Sequence, residues 1–304
     1  MEKIIEEKLP SNLINLIKEQ YGEEIAEKIF NGYLKRRNVS FRVNTLKASK
    51  EEVVKVLNDK GIKYDIPLWY EDAFVLKNVV EKDIECEDIY EEGKIYLQNL
   101  SSMLPPILLE PKEKKDILDM TAAPGGKTTE IAALTNNKAY ITACEKNKVR
   151  ADRLRYNLKK QGANAYVIEK DATMLDSFLK FDQILLDAPC SGSGTIILTE
   201  ESEDVRLTDG YMEKLEKVQT KLLDKAIILL KSGEEMVYST CSILYRENEH
   251  IVNKFLKDNR IEIVPIDKSK FIGIEFLPCE FEDALLVMPN ENYEGFFAIK
   301  IRKK

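Results

Sequence analysis

Two cysteines and an aspartate stand directly after two predicted strands, where side chains can do chemistry. Asp187 and Cys190 follow the apolar run 183–186, and Cys241 follows the run 235–239. A thiolate adds to electron-poor carbon atoms, and a carboxylic acid stabilises negative charge that develops on a nearby ring nitrogen. A second group can then assist proton loss and release of the enzyme. These three side chains suit methylation of carbon 5 of a pyrimidine, a carbon that becomes nucleophilic once a thiolate adds at carbon 6.

A nucleoside-like ligand is predicted at the same edge of the sheet. The apolar run 117–120 leads into a glycine-containing turn and a helix, and Glu145 and Asp171 follow the second and third predicted strands. In open α/β sheets, ligands bind outside the carboxyl ends of the strands, where an acidic residue can accept hydrogen bonds from ribose hydroxyls. We therefore expect Glu145 to hold a ribose and Asp171 to accept from an adenine amino group.

The same turn also invites comparison with the phosphate loop of nucleoside triphosphatases, because it contains Gly126-Lys127-Thr128. The phosphate loop needs a glycine five residues before its second glycine, and position 121 is Thr. Pro124 also removes a backbone N–H that would help to cradle a phosphate. ATPase activity is therefore disfavoured, and the expected ligand is a nucleoside without a pyrophosphate.

The larger part of the chain alternates short apolar strands with amphipathic helices. Strands are predicted at 117–120, 139–144, 165–168, 183–186, 235–239 and 296–301, and helices at 127–134, 148–160, 212–230 and 247–257. This alternation is typical of a parallel-rich sheet that helices cover on both faces. The predicted fold class is α/β, with a doubly wound, mostly parallel sheet.

A smaller N-terminal part reads as mixed α and β. The stretch 81–92 holds seven acidic residues and one lysine, and Gly93 follows it. A charged stretch that ends in glycine is a typical boundary between domains. We therefore predict a small α+β domain at residues 1–92 and a larger domain at residues 93–304.

The composition limits the class of protein. The 304 residues include 46 Lys and Arg against 53 Asp and Glu, and 44% are hydrophobic, as in soluble globular proteins. The net charge of −7 argues against indiscriminate nucleic-acid binding but allows a local basic face. The five cysteines form no Cys-x-x-Cys pair, so we expect neither disulfides nor a metal site. This cysteine usage fits a reducing cytoplasm, which is the expected location. No apolar run is long enough to span a membrane, and we expect a monomer.

Six segments, in this order along the chain, resemble the Sun/Nop (NSUN-like) family of S-adenosylmethionine-dependent RNA (cytosine-5) methyltransferases. They are SFRVNTLK at 40–47, YLQNLSSM at 96–103, DMTAAPGGKT at 119–128, DAPCSGSGT at 187–195, YSTCS at 238–242 and GFF at 295–297. The resemblance implies a Rossmann-like class I methyltransferase domain, S-adenosyl-L-methionine as the cofactor, and ribosomal or transfer RNA as the substrate. The residues that it places around the methionine part of the cofactor are Thr121, Ala122, Ala123, Pro124, Gly125, Gly126 and Lys127.

The resemblance also implies a role for each residue at the reacting end. Glu145 would hold the ribose, Asp171 would contact the adenine, and Asp187 would lie between cofactor and cytosine. Cys241 would be the nucleophile and Cys190 would promote product release, whereas cytosine-5 DNA methyltransferases use the cysteine of the Pro-Cys pair, here Cys190. The presence of both cysteines favours the RNA assignment. The alternative is a non-catalytic RNA-binding assembly factor with the same fold, which a lost cysteine or aspartate would mark.

A basic segment in the N-terminal part is the predicted RNA-binding region. Residues 28–63 carry ten basic side chains against three acidic ones. Affinity for RNA needs Lys and Arg that face phosphates. We therefore expect RNA contacts from Arg36, Arg37, Arg42 and Lys47. The target cytosine must leave its base stack to reach the cysteines, so a loop or single-stranded site is expected.

Overall fold

The computed structural model describes residues 2–198 and 207–304. The helices are α1 Glu2–Lys8, α2 Ser11–Tyr33, α3 Lys50–Asp59, α4 Glu81–Glu85, α5 Asp88–Glu91, α6 Leu100–Leu109, α7 Gly126–Leu134, α8 Lys148–Gln161, α9 Asp209–Leu229 and α10 Glu249–Lys257. The strands are β1 Ser40–Val43, β2 Tyr64–Asp65, β3 Ala73–Leu76, β4 Ile95–Leu97, β5 Asp116–Asp119, β6 Tyr140–Glu145, β7 Ala165–Glu169, β8 Phe181–Asp187, β9 Leu230–Thr240, β10 Ile261–Ile263, β11 Leu285–Val287 and β12 Phe296–Lys303. Each element predicted for the larger part is present.

The large sheet has the strand order β10-β12-β9-β8-β5-β6-β7, with β11 paired to β12. The pairs among β5, β6, β7, β8 and β9 are parallel, and β12 runs antiparallel to β9. Helices cover both faces of this sheet. The predicted doubly wound, mostly parallel α/β fold is confirmed.

Alternate residues of the central strands feed two separate cores, as the two-residue period of a strand requires. Leu118 and Ile184 pack into the core that contains α9 and α10. Ile117 and Leu185 point to the opposite face and pack into the core that contains α6. Apolar side chains therefore fill both faces of the sheet. The polar residues that follow the strands lie at the sheet's carboxyl edge, outside these two cores.

A second, four-stranded antiparallel sheet has the order β2-β3-β1-β4 and its own core, in which Phe41 stacks on Phe74 with ring centroids 5.1 Å apart. Its last strand, β4, lies after residue 92, and α2 packs with the core of the large sheet. The proposed domain boundary after residue 92 stays a prediction, since β4 follows residue 92 but belongs to the small sheet, and α2 precedes residue 92 but packs in the core of the large sheet.

Arg42 corrects the sequence prediction of an RNA contact. Its side chain is fully buried, and its guanidinium donates to Gln98 Oε1 at 2.9 Å, Gly126 O at 2.9 Å and Thr129 Oγ1 at 2.6 Å. The buried carboxylate of Glu130 lies 3.6 Å away. The prediction for Arg42 was wrong because its charge serves the contact between the small sheet and the start of α7.

Among the described residues, no helix is long and apolar enough to span a membrane.

Candidate active site

Asp187, Cys190 and Cys241 lie together at the carboxyl edge of the large sheet. β8 and β9 are parallel neighbours with Asp187 opposite Ser239, so the loops that follow them begin side by side. The Sγ atoms of the two cysteines are 3.0 Å apart, close enough for one thiol to donate a hydrogen bond to the other. The structure therefore brings together the three side chains that the sequence analysis selected as candidate reactive groups.

Both oxygens of the Asp187 carboxylate have a partner. Oδ1 accepts from the Ser239 hydroxyl at 2.8 Å, and Oδ2 lies 2.7 Å from Lys127 Nζ. Burial is the largest effect on the pKa of Lys127 and lowers it, but the charge and hydrogen bond of Asp187, together with the charges of Asp119 and Cys241, hold the pKa above its ordinary value. Lys127 is therefore a cation, and it lies within electrostatic reach of the Cys241 thiol. The site combines a cation and a carboxylate next to two sulfur atoms.

The two thiols have different environments. The hydrogen bond with Cys241, together with burial, raises the pKa of Cys190 well above its ordinary value. Cys190 therefore remains protonated at neutral pH and can donate to the sulfur of Cys241. A donated hydrogen bond and a nearby cation both stabilise a thiolate. The sulfur of Cys241 has both a thiol partner and a cation near it.

Two buried residues that sequence reasoning missed hold the loop that carries Cys190. Glu247 accepts from Ser191 N at 2.8 Å and from Gln219 Nε2 at 3.0 Å, and Gln219 Nε2 also donates to Pro189 O at 3.0 Å. These partners are 28 to 56 residues apart in sequence. No local pattern marks them, since Glu247 and Gln219 read as ordinary polar positions near helices.

A cavity of about 420 Å³, here called the first cavity, opens at the ends of β5 to β9. Its walls include Thr121, Ala123, Glu145, Asp171, Asp187, Cys190 and Cys241. Glu145 is buried there and accepts from Asn147 N at 2.8 Å, while Asp171 accepts from Thr173 N at 2.9 Å. The Thr173 hydroxyl lowers the pKa of Asp171, so this carboxylate is ionised. Carboxylates at the second and third strand ends fit the ribose hydroxyls and the amino group of an adenosine.

A cavity of about 300 Å³, the second cavity, lies on the other side of Asp187. Its walls include Tyr96, Gln98, Asn99, Ala122, Pro124, Gly126, Lys127, Asp187 and Glu294. Thr121, Ala123 and Asp187 line both cavities. Gly125 lines neither, and a Cβ there would lie 3.0 Å from the Leu154 side chain. The loop predicted to surround the methionine part of the cofactor therefore forms a partition between two spaces.

The other predicted RNA contacts differ in exposure. Arg36 is exposed, and among the described residues nothing bonds to its guanidinium. Arg37 is half-buried and donates to Gly32 O at 2.9 Å. The Lys47 ammonium donates to the carbonyl oxygens of Glu92 and Lys160 at 2.9 and 2.6 Å, so it joins the two parts of the chain. Arg36 is the clearest candidate of the four for a phosphate contact.

Comparison with known proteins places this geometry in a family. Residues 106–302 match the family model "16S rRNA methyltransferase RsmB/F", and residues 9–82 match a ferredoxin-like domain of RsmF/B-like proteins. "Ribosomal RNA small subunit methyltransferase F" from Shewanella piezotolerans is 36% identical over an alignment of 307 positions, which covers 96% of this chain. The chain spans 63% of that relative's length.

Two solved structures from Pyrococcus horikoshii share the fold. A methyltransferase homologue is 35% identical with a TM-score of 0.80, and the match covers 94% of this chain and 92% of that one. NSun6 with SFG is 25% identical with a TM-score of 0.85, covering 97% and 98%. These matches confirm the Sun/Nop resemblance, the class I methyltransferase fold and S-adenosyl-L-methionine as the cofactor. The chain belongs to the RsmB/F family of 16S rRNA methyltransferases.

Proposed function

We propose that this chain transfers a methyl group from S-adenosyl-L-methionine to carbon 5 of a cytosine in small-subunit ribosomal RNA. The observation that carries the proposal is the pair of sulfur atoms 3.0 Å apart, beside the ion pair of Lys127 and Asp187, where the two cavities meet. The RNA class is that named in the curated relatives.

The two cavities have separate tasks in this proposal. The first cavity binds the cofactor, with Glu145 on the ribose and Asp171 on the adenine. The bound cofactor supplies an electrophilic methyl group. The second cavity admits the target cytosine, which leaves its stack in a single-stranded or loop region and extends past Asp187 to reach Cys190 and Cys241 on the wall of the first cavity. Asp187, which lines both cavities, faces the reacting ends of both ligands.

The chain's own groups supply the rest of the chemistry. The Cys241 thiolate adds to carbon 6, forming an S–C bond and shifting a pair of ring electrons toward carbon 5. The Lys127 ammonium stabilises the negative charge that spreads to the N3 and O2 side of the ring, and the Asp187 carboxylate holds that ammonium in place. After carbon 5 has taken the methyl group, its proton passes to a water molecule, the C–H electron pair re-forms the 5,6 double bond, and the S–C bond breaks, returning an electron pair to Cys241. Cys190, in hydrogen-bond contact with that sulfur, promotes this release.

RNA binding falls to the N-terminal part. We place the RNA-binding domain at residues 1–92 and the catalytic domain at residues 93–304, with a phosphate contact at the exposed Arg36. A groove lined by Arg36, Arg37, Gln98, Asn99 and Glu294 shares the last three of these with the second cavity. An RNA strand that follows this groove from Arg36 would arrive at the second cavity.

Nucleoside analysis tests the proposed reaction. The purified chain is incubated with methyl-labelled cofactor and, separately, with small-subunit ribosomal RNA or transfer RNA from cells that lack the gene. The RNA is then digested to nucleosides. We expect labelled 5-methylcytidine from the ribosomal RNA. Label in transfer RNA alone would contradict the proposed substrate, and label in another nucleoside would contradict the proposed reaction.

A further inference from the structure

Glu294 is held in a fixed position at the wall of the second cavity. Its backbone N–H donates to Asn99 Oδ1 at 3.3 Å, and its carbonyl accepts from the Ser101 hydroxyl at 2.8 Å. The next residue, Gly295, donates its N–H to Gly194 O at 2.8 Å. A Cβ on Gly194 would lie 1.8 Å from the Gly295 carbonyl oxygen, so this close approach requires glycine. The start of α6 and the loop of Cys190 therefore fix where the Glu294 side chain begins.

The carboxylate of Glu294 stands among the charges of the site. Arg37 and Lys127 attract it and Asp187 repels it, while burial, the largest effect, raises the pKa of Glu294. Lys127 also lies over the ring of Phe296, with its Nζ 5.7 Å from the ring centroid. The two cations favour the ionised form of this partly buried carboxyl group, which is the form that accepts hydrogen bonds most strongly.

The other side-chain carboxyl groups and amide oxygens in the second cavity already have donors. Gln98 Oε1 accepts from Arg42, Asn99 Oδ1 from Ser101 N, Asp119 from the Thr128 hydroxyl, and Asp187 from Ser239 and Lys127. Within residues 2–198 and 207–304, no donor bonds to the Glu294 carboxylate. Glu294 therefore has acceptor capacity that is free to meet a ligand.

A cytosine offers one matching donor group. Its Watson–Crick edge has acceptors at O2 and N3 and a donor at the 4-amino group, and carboxylates pair with that amino group in nucleic-acid recognition. With Lys127 assigned to the N3 and O2 side, the amino group still needs an acceptor. We propose that Glu294 accepts a hydrogen bond from the 4-amino group of the target cytosine and thereby selects cytosine over uracil. This inference rests on the proposed function.

Uracil is rejected for a physical reason. It presents a carbonyl oxygen where cytosine presents the amino group, so it would bring two acceptors face to face at a partly buried position. A site built to bond a substrate N–H rejects analogues that lack it, because its own polar group is left without a partner. The ribose 2′-hydroxyl is the other donor that could reach this carboxylate, and the experiment separates the two.

The experiment crosses a protein change with a substrate change. The probe is a short RNA with the sequence of the cytosine identified by nucleoside mapping. It is prepared with cytidine, with the pyrimidin-2-one ribonucleoside that lacks only the 4-amino group, or with 2′-deoxycytidine at the target position. Dissociation constants are measured in the Cys241→Ala background, where no adduct forms. The proteins compared are this parent and its Glu294→Ala, Glu294→Gln and Glu291→Ala derivatives.

We expect loss of the amino group to weaken RNA binding about tenfold or more in the parent, the size of a hydrogen bond to a charged group. In Glu294→Ala the cytidine and pyrimidin-2-one RNAs should bind equally. Glu291, in the same loop, pairs with Lys35 and lies outside the second cavity, so Glu291→Ala should keep the tenfold difference. Cofactor affinity and melting temperature establish that each variant is folded, and Glu294→Gln replaces Glu294→Ala if the latter is not.

Two results would overturn the inference. One is an equal penalty for the missing amino group with and without Glu294. The other is a penalty for 2′-deoxycytidine that disappears in Glu294→Ala, which would assign the carboxylate to the ribose. Failure of the proposed function is seen separately, since the enzyme with all its cysteines would then place no label on cytidine at all.

Discussion

The two cavities that meet at Asp187 are built in different ways. The first is walled by residues at the carboxyl ends of neighbouring strands of one sheet, so strand order alone brings them together. The second joins the segment 96–102, the loop 121–127 and Glu294, which become neighbours only through contacts between separate elements of the fold. A site within one sheet is fixed by topology, whereas a site between elements depends on the side chains that hold them. A substitution in one cavity should therefore impair binding in that cavity and leave binding in the other unchanged.

The largest expected effect is at Arg42, behind the second cavity. Arg42→Ala removes the donor to Gln98 and Gly126 and leaves these partly buried acceptors unsatisfied, which costs about 3–5 kcal/mol of unfolding free energy. Burial already raises the pKa of Glu130 to about 8, so without Arg42 this carboxyl takes up a proton. Denaturant unfolding measures the loss. The exposed Arg36→Ala should stay within about 0.5 kcal/mol of the wild type. Equal stability of the two variants would contradict the assigned role of Arg42.

A smaller effect is expected at Glu145, in the first cavity. Glu145→Ala removes the proposed acceptor for the ribose hydroxyls, so cofactor affinity should fall about tenfold to a hundredfold, as for a hydrogen bond to a charged group. Calorimetric titration with the cofactor and with RNA distinguishes the sites. RNA affinity should stay unchanged, and Glu169→Ala, one strand further along and exposed, should bind cofactor normally. An equal loss of RNA affinity would contradict the assignment of the cofactor and the RNA to different cavities.

The smallest expected effect is at the surface. Arg36→Glu replaces an exposed cation with an anion, so RNA affinity should fall several-fold, and the slope of log affinity against log salt should decrease by about one. Cofactor affinity should not change. Lys28→Glu, further back on α2, is the matched charge reversal. If both reversals weakened RNA binding equally, a diffuse electrostatic field would account for the effect and the contact at Arg36 would be rejected.

The sequence was informative where chemistry follows strand order. Asp187, Glu145, Asp171 and both cysteines were placed correctly at one edge, because the carboxyl ends of parallel strands share an edge. Whether each residue performs its assigned role stays a prediction. The alternation of apolar strands and amphipathic helices was likewise sufficient to predict the large sheet.

The sequence was uninformative where a side chain's surroundings decide its role. Arg42 was one of the basic residues from which RNA binding was predicted, but its side chain is buried. A count of charges carries no information on which side chains are exposed. Glu247 and Gln219 bond to a loop 30 to 56 residues away, so no local pattern could reveal them. Glu294 directly precedes the family-like segment 295–297. That its carboxyl group has no donor could be recognised only from the hydrogen bonds of the surrounding residues.

The most direct test of the account compares the wild type with Cys241→Ala and Cys190→Ala. Each protein is incubated with labelled cofactor and small-subunit ribosomal RNA, and both methyl transfer and a denaturant-resistant protein–RNA adduct are scored. The account predicts neither signal for Cys241→Ala, because the nucleophile is gone, and an accumulated adduct for Cys190→Ala, because release is blocked. If Cys190→Ala is the variant that cannot form an adduct, the roles of the two cysteines are reversed and the account is contradicted.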